Sequence, residues 1–238
     1  MDLRPDQAVR RNQRGLSQLT GFRSRLDRRP GAAGCYPAAF VDALAARIAA
    51  TEPKGAARLV AIDGWGCGGK TALAEALLDR LEPAWQYVST DEFFTGFERQ
   101  TDPGPVAHLR WRELQDAVAG LARTGLASVR GYDWEHARIL GPERLAGGSW
   151  LIDGLFSHHR DLRGAYDLTI WVQGRMEGRL DRVARRDGAH MLPHWRRDWL
   201  PREAAYMRQA RPWETADIIV AGADLPIGAL AAWKEGLL

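Results

Sequence analysis

The 238-residue chain has only two cysteines, Cys35 and Cys67. Two thiols cannot build a disulfide framework, and by themselves they cannot form a dedicated zinc site. A reducing cytoplasm is the expected setting. No uninterrupted apolar run approaches the length of a membrane span, and the opening Met1-Asp2-Leu3-Arg4-Pro5 lacks the apolar core of a secretory leader. No membrane partner is therefore expected. No segment recurs at a fixed period, which argues against a repeat architecture. Net charge is also scarce. The formal value is +3, and residues 1–30, with eight Arg and three Asp, carry +5 of it, leaving −2 on the remaining 208 residues. The basic excess thus belongs to an N-terminal arm. Such an arm could meet nucleic acid or an acidic partner. It has few aromatics and no stacking platform, so a solvated leader is the simpler reading and nucleic acid is not expected.

What is present suits a folded domain. Charged residues make up 26% and hydrophobic residues 45%, ordinary proportions, in a chain long enough for one substantial core. Residues 1–36 read as a basic arm and linker, and 37–238 as a single domain. Homo-oligomers remain open.

The stretch that organises the chain is Gly64-Trp65-Gly66-Cys67-Gly68-Gly69-Lys70-Thr71. It matches GxxxxGK[ST], the phosphate-cradling loop, at every required position. Leu59-Val60-Ala61-Ile62 reads as a buried strand entering it. Thr71 to Leu78 reads as the helix leaving it, with Leu73, Leu77 and Leu81 on one face. Glycines let successive N–H groups turn onto phosphate oxygens, and the helix N-terminus adds partial positive charge. Residues Gly64, Trp65, Gly66, Cys67, Gly68, Gly69, Lys70, Thr71 and Ala72 are therefore the expected nucleotide-binding set. Lys70 can reach the outer phosphates, and the Thr71 hydroxyl can ligate Mg²⁺. Cys67 is open to two readings: a thiol activated by the helix terminus, or simply a small loop residue.

Around this loop the pattern alternates. A helix is expected from Pro37, with Phe40, Leu44 and Ile48 packing inward. Strands are expected near 58–63, 86–90, 127–130, 150–154, 167–172 and 216–220. Helices are expected at 110–123, with Leu114, Val118 and Leu121 inward, and at 175–186. Strands alternating with helices imply an α/β fold whose parallel sheet is covered on both faces, with the site at the strand C-termini.

Several segments, in order, resemble the uridine kinase branch of the P-loop kinases, which includes phosphoribulokinase and bacterial pantothenate kinase. These are the phosphate loop, Ser89-Thr90-Asp91-Glu92-Phe93-Phe94, Tyr132-Asp133, Ile152-Asp153-Gly154, Arg179-Leu180-Asp181-Arg182-Val183-Ala184-Arg185-Arg186-Asp187, and Arg211-Pro212 with Ala216-Asp217-Ile218-Ile219-Val220. The resemblance covers about residues 58–221. It implies the P-loop NTPase, nucleoside- and nucleotide-kinase-like fold, three layers around a central parallel sheet of about five strands. It also implies ATP and Mg²⁺. Three features depart from the family pattern. Asp153 stands where the family has Glu, Phe94 stands where it has Tyr, and its acidic loop is only echoed by Thr101-Asp102-Pro103.

The resemblance assigns roles by position. Asp91 becomes the general base and a group on the acceptor and metal side; otherwise it is a strand-end Asp capping a turn. Asp153 joins Thr71 and Asp91 at the metal; otherwise Asp153-Gly154 is a turn pair. Asp63 reads as a structural acid that binds loop backbone. Arg175, Arg179, Arg182 and Arg186 fall on one face of the expected helix, with Met176, Leu180 and Val183 on another; a solvated stripe is the plain explanation. The resemblance instead sends Arg182 and Arg186 to catalysis and Arg185 to the nucleotide. Tyr132 and His136 would line the acceptor pocket, with Phe94 either there or in the core. Residues 187–202 would form a lid over ATP, or a helix that docks two tryptophans.

The function implied is Mg·ATP-dependent phosphoryl transfer to a hydroxyl of a nucleoside or nucleoside-like small molecule. The alternatives are a kinase of another small alcohol, including one in natural-product biosynthesis or antibiotic inactivation, and an ATP-binding switch module without a small acceptor.

Overall fold

The computed structural model describes residues 36–81, 83–97 and 104–222. The basic arm, apart from Tyr36, and Thr101-Asp102-Pro103 lie outside the described residues. Five strands, β1 (Arg58–Gly64), β2 (Trp85–Ser89), β5 (Ser149–Asp153), β6 (Leu168–Gln173) and β7 (Ile218–Ala221), form one sheet in the order β2-β5-β1-β6-β7. Every pairing in it is parallel. β3 (Leu126–Asp133) and β4 (Arg138–Ala146) form a separate antiparallel hairpin.

The unbroken apolar run of β1 follows from burial on both faces. Val60 and Ile62 pack with α1 (Ala38–Ala49) and α2 (Lys70–Leu78). Leu59 and Ala61 point the other way, into a cluster with Leu114, Val118 and Leu121 of α3 (Trp111–Thr124). The result is three layers. Leu73 and Leu77 of α2 are completely buried, and each such side chain contributes about 1.5–3 kcal/mol. That burial fixes the helix whose first turn closes the phosphate loop. No helix among the described residues is long and apolar enough to cross a membrane.

Several expectations are corrected. Phe40 is exposed and stacks beside Tyr36, while Val41, Leu44, Ala45 and Ile48 form the buried face of α1. The i, i+3, i+4, i+7 set starting at 41 carries the packing. The Arg-rich helix α4 begins only at Arg179, after left-handed Gly178, so Arg175 lies outside it and Met176 is exposed. The segment 127–130 is not part of the main sheet, because it pairs with β4. β4 has a mostly exposed, uneven burial pattern, which leaves no period-two signal to read.

The stretch after α4 is largely helical: Leu192–His194, a wider π-helical segment Trp195–Trp199, and α5 (Leu200–Ala210). Pro201 explains the wide turn, since it has no N–H to return to the carbonyl four residues earlier. Trp195 is buried, and Trp199 packs edge-on against it at 5.0 Å.

Candidate active site

The loop from Gly64 to Lys70 turns at the C-terminal edge of the sheet. Cys67 is left-handed (φ 57°), and Gly69, also left-handed, caps α2. The Gly68 N–H donates to Trp65 O over 2.9 Å. A Cβ on Gly68 would stand 2.8 Å from that same oxygen and 3.3 Å from Gly174 Cα, so only glycine fits. Lys70 Nζ donates to Gly64 O (3.0 Å) and Trp65 O (3.1 Å), which folds the ammonium over the loop. Left-handed backbone at Cys67 and Gly69, with a residue between them that is not left-handed, is the kind of turn from which anion nests are built. Burial pushes the Cys67 thiol above its ordinary range, so the activated-thiol reading has no support.

Sheet register brings the acids to this loop. Ile62 of β1 and Ser89 of β2 both pair with Asp153 of β5. Asp153 is 1% exposed. Its Oδ2 accepts from the Thr71 hydroxyl (2.9 Å) and the Tyr87 hydroxyl (2.9 Å), while its buried Oδ1 has no hydrogen-bond partner among the described residues. Burial raises its pKa to about 6, with Lys70, Thr71 and Tyr87 pulling it back. Gly154 is needed next to it, because a Cβ there would meet Thr90 Oγ1 at 1.9 Å. A free hard oxygen beside a threonine hydroxyl is the donor set of a Mg²⁺ site, with waters and phosphates completing the shell. The residues present therefore fit that ion.

Asp91 is exposed in the 3₁₀ turn Thr90–Phe93, and its N–H is capped by Ser89 Oγ at 3.2 Å. Its charge acts on Asp153 and on Arg186. The turn is held from outside. Arg110 donates to the carbonyls of Glu92 (3.0 Å), Phe94 and Arg130, and its Nε pairs with Glu113 at 3.0 Å. Buried Glu92 accepts the Tyr132 N–H at 3.3 Å. Asp63 has the expected structural role. Its Oδ1 accepts the Gly64 N–H, and its Oδ2 accepts the His158 N–H and the Tyr206 hydroxyl at 3.0 and 2.8 Å.

The arginines diverge. Arg182 donates toward Cys67 O (3.4 Å) and also to the carbonyls of Glu177 and Arg175, so it sits against the loop. Arg186 is bidentate to Asp187 (2.7 and 2.9 Å) and lies over the Trp195 ring. Arg185 is exposed, with no hydrogen bond to the loop among the described residues. Tyr132 and Phe94 meet in an aromatic cluster. Phe94 stacks on Trp134 at 4.8 Å and 12°, and contacts Tyr132, Phe97 and Trp199. His136 does not join them. It is 60% exposed, with Nδ1 held by Asp133 at 2.8 Å.

Sequence reasoning missed Tyr87, Arg110 and Glu203. Tyr87 was readable only as a strand residue, but β2 alternation puts it on one face with Ser89. Glu203 acts through a partner far along the chain, and the carbonyls that Arg110 braces are also distant from it in sequence, so neither role gave a local signal.

No family model matches this chain, and no curated protein matches it in sequence. Solved structures do. A "possible uridine kinase" from Bacillus stearothermophilus superposes with TM-score 0.60 at 16% identity, over 75% of this chain and 96% of that one. A "putative fructose transport system kinase" from Silicibacter sp. TM1040 gives 0.56 at 18%, over 76% and 98%. The fold is that of the P-loop kinases. Within the P-loop kinase fold, the loop, Asp153 and the Asp91 turn share the C-terminal edge of β1, β5 and β2, where ligands of open parallel sheets bind.

Proposed function

We propose that this protein is a Mg·ATP-dependent phosphotransferase that moves the terminal phosphoryl group to a hydroxyl of a nucleoside-like small molecule. One observation carries the reading: the Thr71–Asp153 hydrogen bond with Asp153 Oδ1 left unpartnered, beside a loop whose lysine is folded over it. A pure nucleotide-binding module has no need of a second acid turn, yet the Asp91 turn is braced by Arg110.

In this reading the loop amides and Lys70 bind the phosphate chain, and Arg182 neutralises charge there. Thr71 and Asp153 would hold Mg²⁺, which supplies charge neutralisation and orientation of the phosphates. Asp91 orients the acceptor hydroxyl and takes its proton. The Leu192–His194, Trp195–Trp199 segment covers the loop and excludes water.

One observation favours a second acceptor class. Phe94 and Trp134 are stacked on each other at 4.8 Å, so a flat base that stacks on this face of Phe94 has to displace Trp134, whereas a compact non-aromatic alcohol does not.

The test is ADP release with Mg·ATP against nucleosides and other small alcohols, with Asp91→Asn as control. Stimulation by a nucleoside, lost in the variant, supports the full reading. Stimulation only by another alcohol moves the substrate. Tight ATP binding without any stimulation removes the kinase.

A further inference from the structure

Glu203 of α5 has a side chain only 1% exposed, and it is ion-paired with Arg179 of α4, itself 7% exposed. Burial raises the Glu203 pKa, and the Arg179 guanidinium, the charge of Lys70 and the Gly66 N–H pull it back. A guanidinium, an ammonium and a phosphate-loop amide together are the donor set of a phosphate site. Here a side-chain carboxylate sits among them. The contact is close: a Cβ on Gly66 would lie 3.1 Å from Glu203 Oε2, 3.1 Å from Arg179 Nη2 and 3.0 Å from Trp195 Cη2. The pair is not self-sufficient. Arg179 Nε and Glu203 Oε1 are both buried without a hydrogen-bond partner among the described residues. The rings of Trp65 and Trp195 flank the guanidinium at 5.7 and 6.0 Å. A strut between two helices needs only its partner on the other helix. It has no need to lie against the phosphate loop at Gly66.

We propose that Glu203 is a resident anion that occupies Arg179 and the outer part of the phosphate loop in the nucleotide-free protein, and that the terminal phosphates of a bound nucleoside triphosphate displace it. This rests on the nucleotide reading above. Arg179 then exchanges a carboxylate for a phosphate, and no buried charge is left bare on the cationic side. Glu203 touches no reacting atom, so it is a positioning residue that tunes affinity for the triphosphate end. It also makes the position of α5, and of the Trp195–Trp199 segment leading into it, responsive to phosphate at the loop.

The test is calorimetric binding of Mg·AMP-PNP, inorganic triphosphate and AMP to wild type and Glu203→Gln. The neutral variant should bind AMP-PNP and triphosphate about five- to tenfold more tightly, because it removes a competing charge. AMP, which has no terminal phosphate to compete for the site, should show no such gain. Unchanged or weaker AMP-PNP binding in the variant overturns the proposal, and so does an equal gain for AMP. Failure of wild type itself to bind AMP-PNP or triphosphate overturns the nucleotide reading and this proposal with it. If Glu203→Gln does not fold, Arg179→Gln is compared with Arg179→Gln/Glu203→Gln, which leaves neither charge of the pair buried. The second substitution should then raise triphosphate affinity about fivefold or more, and no rise overturns the proposal.

Discussion

Thr71 lies in the first turn of α2 and Asp153 closes β5, and the Thr71 hydroxyl donates to Asp153 Oδ2 over 2.9 Å. The bond joins the phosphate loop to a neighbouring strand and leaves one buried carboxylate oxygen open. Replacing that oxygen with an amide nitrogen keeps the shape and removes the ligand. Asp153→Asn should fold normally, because burial already disfavours its charge. Its turnover should fall by about a hundredfold or more, the scale of losing one preorganised charged group. Its activity should also lose saturation in Mg²⁺ at millimolar levels. Mg²⁺ titrations of initial rate check this, and an unchanged Mg²⁺ dependence would move the metal elsewhere.

Asp91→Asn should bind AMP-PNP with unchanged affinity and lose about 10²–10⁴ in turnover, the usual worth of a positioned general base. Its side chain makes no hydrogen bond within the turn among the described residues, where its N–H is capped by Ser89 and its carbonyl accepts the Phe94 N–H. Stability should therefore stay within about 0.5 kcal/mol of wild type. A large loss of melting temperature would mark the residue as structural instead.

How much of this was legible in advance follows from where each signal lives. The phosphate loop, α2, α3 and the parallel strands are local patterns, and they stand where periodicity and glycine spacing put them. β4 was invisible because its residues are mostly exposed and do not alternate. Phe40 was misassigned because several faces of a short apolar helix look alike until a partner surface selects Val41. Glu203 carries no local signature, since its partner lies at Arg179. Arg110 has Glu113 close by in sequence, but the carbonyls it braces lie at Glu92, Phe94 and Arg130. Six of the ten tryptophans divide by use. Trp150 and Trp171 fill the core, while Trp65, Trp134, Trp195 and Trp199 pack around the site.

Arg110 offers a test of bracing. It supports three carbonyls around the Asp91 turn and pairs with Glu113. Arg110→Gln leaves those carbonyls short of donors and should cost about 1–3 kcal/mol in stability. Turnover should fall by about tenfold with little change in nucleotide affinity, since a misplaced base hurts the chemical step. Chemical denaturation and steady-state kinetics separate the two effects. Equal losses in nucleotide affinity and turnover would argue against a role confined to the turn.

Buried titratable groups set the pH response. Burial raises Asp63 and Asp153 to about 6 and lowers His108 and His158 to about 4. An acid with a raised pKa binds protons better when folded, so its contribution declines as pH rises from about 4 to 6. A histidine with a lowered pKa does the opposite over about 4 to 6.5. The two pairs oppose each other, and the wild-type stability curve should be shallow in that range. Asp63→Asn removes one falling contribution of about 3 kcal/mol. Its stability relative to wild type should therefore rise as pH goes from 4.5 to 6.5. His158→Gln should shift the difference in the reverse sense. Urea unfolding at three pH values without Mg²⁺ measures both, and parallel curves would refute the assignment.

The stacked pair Phe94 and Trp134 decides what shape of acceptor the site admits. Trp134 stacks on Phe94 at 4.8 Å and meets Tyr132 edge-on at 4.9 Å, Phe94 and Tyr132 touch each other at 5.0 Å, and Phe97 closes from the side at 6.4 Å. Such aromatic contacts are worth about 0.5–1.5 kcal/mol each beyond burial. Moving Trp134 aside therefore taxes any acceptor that needs its place. For a flat base that replaces the ring on Phe94, Trp134→Ala loses little stacking and removes the displacement cost, so KM should fall while turnover is kept. For a compact alcohol that relies on Trp134 as a wall, KM should rise by about tenfold with turnover largely kept. The sign of the KM change, measured with whichever acceptor stimulates ADP release, distinguishes the two acceptor classes. No change in either direction would place the acceptor away from this cluster.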